Sequence, residues 1–178
     1  MKKIALFVFM ISVLSLSCSS DDASIFGTWT LNKDKSTDLV TWRYRQPELT
    51  IMAHGDTLCV KTVWKSRRAG DYVEKFMFVP GGDTAFAPVT SQHWVENWYM
   101  GVLSVEGSSE AVWGEWLEEN TKLRSGAKRT VRTSQGETDV TTIREFDVNR
   151  KGNVLEVTEE RSTRPTPIKL VFDRKEMK

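Results

Sequence analysis

Apolar residues alternate with polar ones on both sides of Gly55-Asp56, and this pattern narrows the fold more than any other feature of the chain. Leu49, Ile51 and Ala53 alternate with Thr50 and Met52, and beyond the turn Leu58, Val60, Thr62 and Trp64 continue the rhythm. Successive side chains of a strand point to opposite faces, so two such runs meeting at a glycine turn read as a β-hairpin. Gly70-Asp71 turns into residues 72–79, where Phe76 and Phe78 share a face, and Pro80-Gly-Gly-Asp83 turns again into residues 84–88. Three glycine and aspartate turns, at spacings of 15 and 12 residues, predict a meander whose strands run about eight to ten residues.

The pattern resumes toward the C-terminus. Residues 128–134 lead through Gly136 into 140–148, and Lys151-Gly-Asn153 turns into 154–159. Two prolines between 163 and 167 suit a loop and not a central strand. Ile168, Leu170 and Phe172 then alternate inward in a closing strand. Near the start, Trp29 and Leu31 share a pleat face within Phe26-Gly-Thr-Trp-Thr-Leu31, so this first strand is expected to present them to a core.

The middle departs from period two. Trp94, Val95, Trp98, Tyr99, Val102 and Leu103 recur at helical spacing within 91–104, although Gly101 argues for strand. Val112, Trp113, Trp116, Leu117 and Leu123 do likewise, with Glu110 at one end, Lys122 and Arg124 at the other, and Gly126 just beyond. Acid first, base last and glycine after are helix start and stop signals, so a short helical insertion is expected around 109–123. The expected fold is therefore all-β: an antiparallel up-and-down meander of about eight to ten strands, closed into a barrel or strongly curled, with that one helix.

Residues 1–17 read as an export signal, with Lys2 and Lys3 before an apolar stretch too short to span a bilayer. Leu14-Ser-Leu-Ser-Cys18 resembles a bacterial lipobox, which makes Cys18 the expected lipidation site and 18–25 a lipidated tether, polar and acidic at Ser19-Ser-Asp-Asp22. A serine after the cysteine is similar to outer-membrane sorting, with the protein facing periplasm or cell surface. A single domain is expected over 26–174. Without the leader, 23 basic residues stand against 24 acidic ones, so no single-sign field forms and nucleic acid is not an expected partner. With Cys18 committed to lipid, Cys59 has no intramolecular disulfide partner.

Gly27-x-Trp29, followed by Leu-Asn-Lys-Asp-Lys-Ser36, resembles the opening of bacterial lipocalin-like proteins, a calycin-type β-barrel family. Lys151-Gly-Asn-Val-Leu-Glu-Val-Thr158 and Lys169-Leu-Val-Phe-Asp-Arg174 are similar to that family's closing strands. The likeness covers roughly 26–90 and 126–174. It implies a barrel that binds a small, mostly apolar ligand, and an arginine packed over Trp29 that the sequence does not locate.

Residues able to carry chemistry are sparse. His54, Asp56 and Cys59 flank one turn, but a metal needs three or four converging ligands, so no metal or cofactor is expected. No nucleophile elbow or phosphate-cradling glycine loop is present in the sequence. Glu96, Glu110, Glu115, Glu118 and Glu119 lie among the tryptophans, where they read as a solvated helix face or, for a glycosidase, as paired carboxylates. The first functional reading is a lipid-anchored, non-catalytic binding module for a small apolar or glycan ligand. Trp29 stands at the barrel base in that reading, and Trp64, Phe76, Trp94, Trp98 and Trp113 face a cavity. The alternative is a structural lipoprotein with a filled barrel that contacts envelope protein or glycan, and the third is a hydrolase using His93 with a nearby Glu.

Overall fold

The computed structural model describes residues 23–37, 44–66, 71–90 and 103–176. Its strands are β1 (Gly27–Leu31), β2 (Tyr44–His54), β3 (Thr57–Ser66), β4 (Tyr72–Phe78), β5 (Ala85–Pro88), β6 (Leu103–Ser104), β7 (Ser109–Glu118), β8 (Lys122–Thr133), β9 (Gly136–Val148), β10 (Val154–Arg161) and β11 (Ile168–Arg174). The ladder runs β4-β3-β2-β1-β11-β10-β9-β8-β7-β5, with the two-residue β6 paired to β8. The first strand pairs antiparallel with the last, Trp29 opposite Arg174, which curls the expected meander into a nearly closed barrel. The seam falls between β4 and β5, the two ends of the ladder. The hairpin turns at Gly55, Gly136 and Gly152 lie where alternation put them, Gly55 at φ +61°, a conformation glycine adopts without steric cost, while Gly70 lies outside the described residues.

The expected helix over 109–123 does not form. Residues Ser109–Glu118 are β7, paired with β8 from Ala111 opposite Lys128 to Glu118 opposite Lys122. Both faces of β7 carry apolar residues, Val112 and Trp116 on one and Trp113 on the other, and pairs of adjacent apolar residues imitate a helical period. The supposed helix signals have other work. Glu110 is a buried ion-pair partner, Lys122 pairs with Asp147 at 3.1 Å, and Arg124 pairs with Glu145 at 2.7 Å. Gly126, read as the residue after a helix end, lies opposite Trp113, where a Cβ would come within 2.2 Å of the indole ring. The only helical turn among the described residues is Lys33–Lys35, capped by the Asn32 side chain, which accepts from the Lys35 amide at 3.3 Å.

One end of the barrel is plugged. Ile25 and Trp29 are wholly buried there, and Trp29 Nε1 donates to the Ile25 carbonyl at 2.9 Å. The Arg174 guanidinium lies 4.2 Å from the Trp29 ring centroid and donates to the carbonyls of Ser24, Phe26 and Gly152. This is the arginine over the first-strand tryptophan that the sequence left unlocated. Phe26 meets Trp116 edge to face at 6.0 Å. The apolar core continues through Leu49, Ile51, Phe78, Leu123, Phe146, Leu155 and Phe172.

The seam closes without a β4–β5 ladder. The Gly81 amide donates to the Gly114 carbonyl at 2.7 Å, and the Phe78 ring occupies the space over Gly114, where a Cβ would lie 2.2 Å from it. Gly114→Ala is therefore expected to displace a fully packed ring and lower stability by about 1–3 kcal/mol, read as a fall in the urea midpoint. A midpoint equal to wild type would show that the seam does not depend on that contact.

Candidate functional site

Away from the plugged end, the inward face changes from apolar to charged. Strand parity explains how. Glu74 shares its face of β4 with Phe76 and Phe78, Arg129 shares β8 with Ala127 and Val131, Arg144 shares β9 with Thr142 and Phe146, and Glu159 shares β10 with Leu155 and Val157. Each charge is thus carried inside by a strand whose neighbouring inward residues bury apolar area.

These groups form a chain of ion pairs across the lumen. Arg129 grips Glu110 with two hydrogen bonds, Nε to Oε1 at 2.8 Å and Nη2 to Oε2 at 2.7 Å, while its Nη1 donates to Ser104 Oγ at 3.1 Å. Nη2 also lies 3.5 Å from Glu74 Oε1. Glu74 Oε2 in turn accepts from Arg144 Nη1 at 3.0 Å, and Arg144 Nε donates to Glu159 Oε2 at 2.8 Å. Arg164, from the loop after β10, reaches Glu159 Oε1 at 3.3 Å. The Arg144 guanidinium also stands 5.6 Å from the centroid of the Phe76 ring. Burial disfavours both charges of the Arg129–Glu110 pair, yet the short bonds keep the guanidinium protonated; the cost of burial shows on Glu110, whose pKa is raised.

Between this network and the apolar core lies a cavity of about 30 Å³. Glu74, Arg144 and Glu159 line one side, and Leu49, Trp64 and Phe146 are among the residues lining the other. Such a space holds a water or two, and a drug-sized ligand takes pockets of roughly 300 Å³ or more. On the outer surface, an open groove of about 490 Å³ runs along β9 and β10 beneath the 162–167 loop, lined in part by Arg161, Arg164, Pro165 and Pro167. Arg164 therefore touches both the groove and the buried network.

The sequence-predicted residues separate. Trp64 lines the cavity, and Phe76 lies beneath the network, both buried. Trp29 sits at the base as expected, with no exposed surface. Trp113 does not face the cavity: it lies on the outer face across Gly126, because its parity is opposite to that of the inward Val112. Trp94, Trp98, His93, Glu96, the leader, Cys18 and the tether through Asp22 lie outside the described residues. Glu110 is inward with Arg129, whereas Glu115 pairs with Arg124 on the outside, so the two do not face each other as a catalytic carboxylate pair. His54 and Asp56 are exposed at their turn and Cys59 is buried. Sequence reasoning missed the charged lining, although parity with neighbouring apolar residues was there to be read.

No protein-family model matches the chain, and no curated protein matches it. Among solved structures the chain is similar to a fatty acid binding protein of Schistosoma mansoni in complex with arachidonic acid, at 15% identity and TM-score 0.50, over 85% of this chain and 96% of that one. It is also similar to secretory abundant heat soluble protein 4 of Ramazzottius varieornatus, at 12% identity and TM-score 0.49, over 86% and 96%. A third is a fatty-acid-binding protein of Manduca sexta, at 13% and 0.44, over 84% and 99%. The first likeness establishes a shared fold, the all-β, nearly closed antiparallel barrel.

Two outcomes follow from the network. Glu110→Ala leaves the Arg129 charge buried without its main partner and is expected to destabilise by about 3–5 kcal/mol, whereas Glu110→Leu combined with Arg129→Met should recover most of that loss. Chemical denaturation of both variants measures it, and a double variant as weak as the single would refute the pairing. Separately, burial, reinforced by the Glu74 charge, pushes the Tyr72 hydroxyl up to about 12. Because the folded pKa is raised, the stability Tyr72 contributes is whole below about pH 10 and declines, on the order of 2 kcal/mol, as pH rises toward 12. Ultraviolet titration of the tyrosines should show a late-ionising phase that Tyr72→Phe abolishes.

Proposed function

We propose that the protein is a lipocalin-like binding barrel, anchored through Cys18 to the outer membrane, that takes a small, mostly apolar ligand without catalysing a reaction. The supporting observation is the interior itself: a cavity with an apolar wall on one side and Arg144, Glu74 and Glu159 on the other. Burying ions costs several kcal/mol each unless they are paired, and apolar residues would fill a merely structural core at least as well. On this reading the network receives a polar end, and the side chains around Trp64 shift to widen the water-sized cavity for the rest of the ligand. That the similar Schistosoma barrel is in complex with arachidonic acid adds a fold-level analogy.

A second reading is favoured by a specific observation. Trp64, Phe76, Phe78, Phe146 and Phe172 are all buried inward, and the cavity among them is water-sized. This favours a filled barrel that works through its outer surface on envelope protein or glycan.

Native mass spectrometry of the protein from Ser19 onward, purified without detergent, separates the two. The binding reading expects a discrete bound mass, lost in Thr62→Phe, which fills the cavity wall while the thermal midpoint stays within a few degrees of wild type. A bare polypeptide mass, with no thermal shift across a panel of lipids and glycans, would select the filled barrel.

A further inference from the structure

Four of the exposed large apolar side chains collect at the plugged end. Met52, Met77, Val79 and Leu117 are 39%, 43%, 42% and 40% exposed. Met52 and Met77 lie opposite Cys59 from either side of β3, so they stand two strand spacings apart, about 10 Å. Val79 directly follows the end of β4, and Leu117 is the penultimate residue of β7, the strand bonded to the Gly81 turn across the seam. They form one apolar arc of the rim over β2, β3, β4 and β7.

The chain also enters at this end. The Ser24 carbonyl is held by Arg174, and the Ile25 amide donates to the Asn120 carbonyl at 2.8 Å, in the turn that follows Leu117. Four residues lie between Cys18 and Ala23, and the five steps from one to the other reach at most about 18 Å in any conformation. Strand β9 has 13 residues, about 43 Å along the strand and roughly 30–35 Å along the axis of a barrel tilted in the usual range. The far end, at the turn between Thr133 and Gly136, therefore lies beyond the reach of the tether.

We infer that the apolar arc at the plugged end is a lipid-seating surface: Met52, Met77, Val79 and Leu117 rest on the bilayer that holds Cys18, and the charged end faces water. The inference rests on the lipid-anchor reading. The rim's exposed charges, Asp56, Asp83, Glu118, Glu119 and Glu176 against Arg150, Lys151 and Lys175, make no cationic patch. Seating by apolar contact and tether is accordingly insensitive to salt.

The test uses the full chain, matured in cells and reconstituted into phosphatidylcholine vesicles that carry a shallow spin-labelled lipid quencher. A fluorophore is attached at Asp56→Cys on the plugged end or at Gln135→Cys on the far end. The seated barrel gives severalfold stronger quenching at 56 than at 135, unchanged at high salt, and a Met52→Ser, Met77→Ser, Val79→Ser variant loses the difference while remaining vesicle-bound. Equal quenching at the two positions, or stronger quenching at 135, overturns the seating. The mass of the N-terminal peptide is measured on the same sample: no acyl chains on Cys18 overturns the anchor reading and the seating with it, whereas acylation with unbiased quenching overturns the seating alone.

Discussion

A sheet whose ladder stops short of closure must be closed by side chains, and the carboxylate of Glu74 is central to that closure. Its strand, β4, is the last of the ladder, yet its two oxygens reach Arg129 on β8 and Arg144 on β9, on the far side of the seam. Buried ion pairs add little net stability compared with apolar packing, but they are strict about geometry, because losing one partner strands a charge in a poor solvent. The circumference of the barrel at this level is therefore set by matched charges: Glu74, Glu110 and Glu159 against Arg129, Arg144 and Arg164. Lower down, where the lining is apolar, the same seam is set by a ring on a glycine, Phe78 over Gly114.

The two levels give the barrel ends different characters. At the plugged end the two groups that close the base have backbone partners: the Trp29 indole bonds Ile25, and Arg174 satisfies three carbonyls while stacking on the indole. Arg174 is only partly buried, and burial lowers its pKa without threatening its charge. That arrangement seals; it offers a ligand nothing to replace. In the upper level the partners are side chains from six strands and one loop, and such contacts can be exchanged without unravelling a strand.

How much of this was legible in the sequence depends on parity. Alternation located the hairpins around Gly55, Gly136 and Gly152 and the closing strand, because a half-buried strand must place its apolar residues every second position. The same rule, applied to charges, would have placed Glu74 on the face of Phe76 and Arg174 on the face of Phe172. A charged residue reads as solvent-facing until its partner is known, and here the partners are on strands far off in sequence. Parity also fails where both faces are apolar: Val112 with Trp116 and Trp113 with Leu117 mimic a helix, and only the cross-strand fit of Trp113 onto Gly126 distinguishes them. That fit is invisible until β7 and β8 are paired.

Arg164 joins the inside of the barrel to the outside. Its partner Glu159 is 1% exposed at the side chain while Arg164 itself is 17% exposed, so the pair straddles the wall. The loop that carries Arg164 contains Pro165 and Pro167, whose fixed φ angles reduce the entropy lost in holding the guanidinium there. Arg164 lines the outer groove and, through its hydrogen bond to Glu159, also belongs to the buried network. The groove and the buried network thus share one guanidinium, and a change at either reaches the other through the Arg164–Glu159 pair.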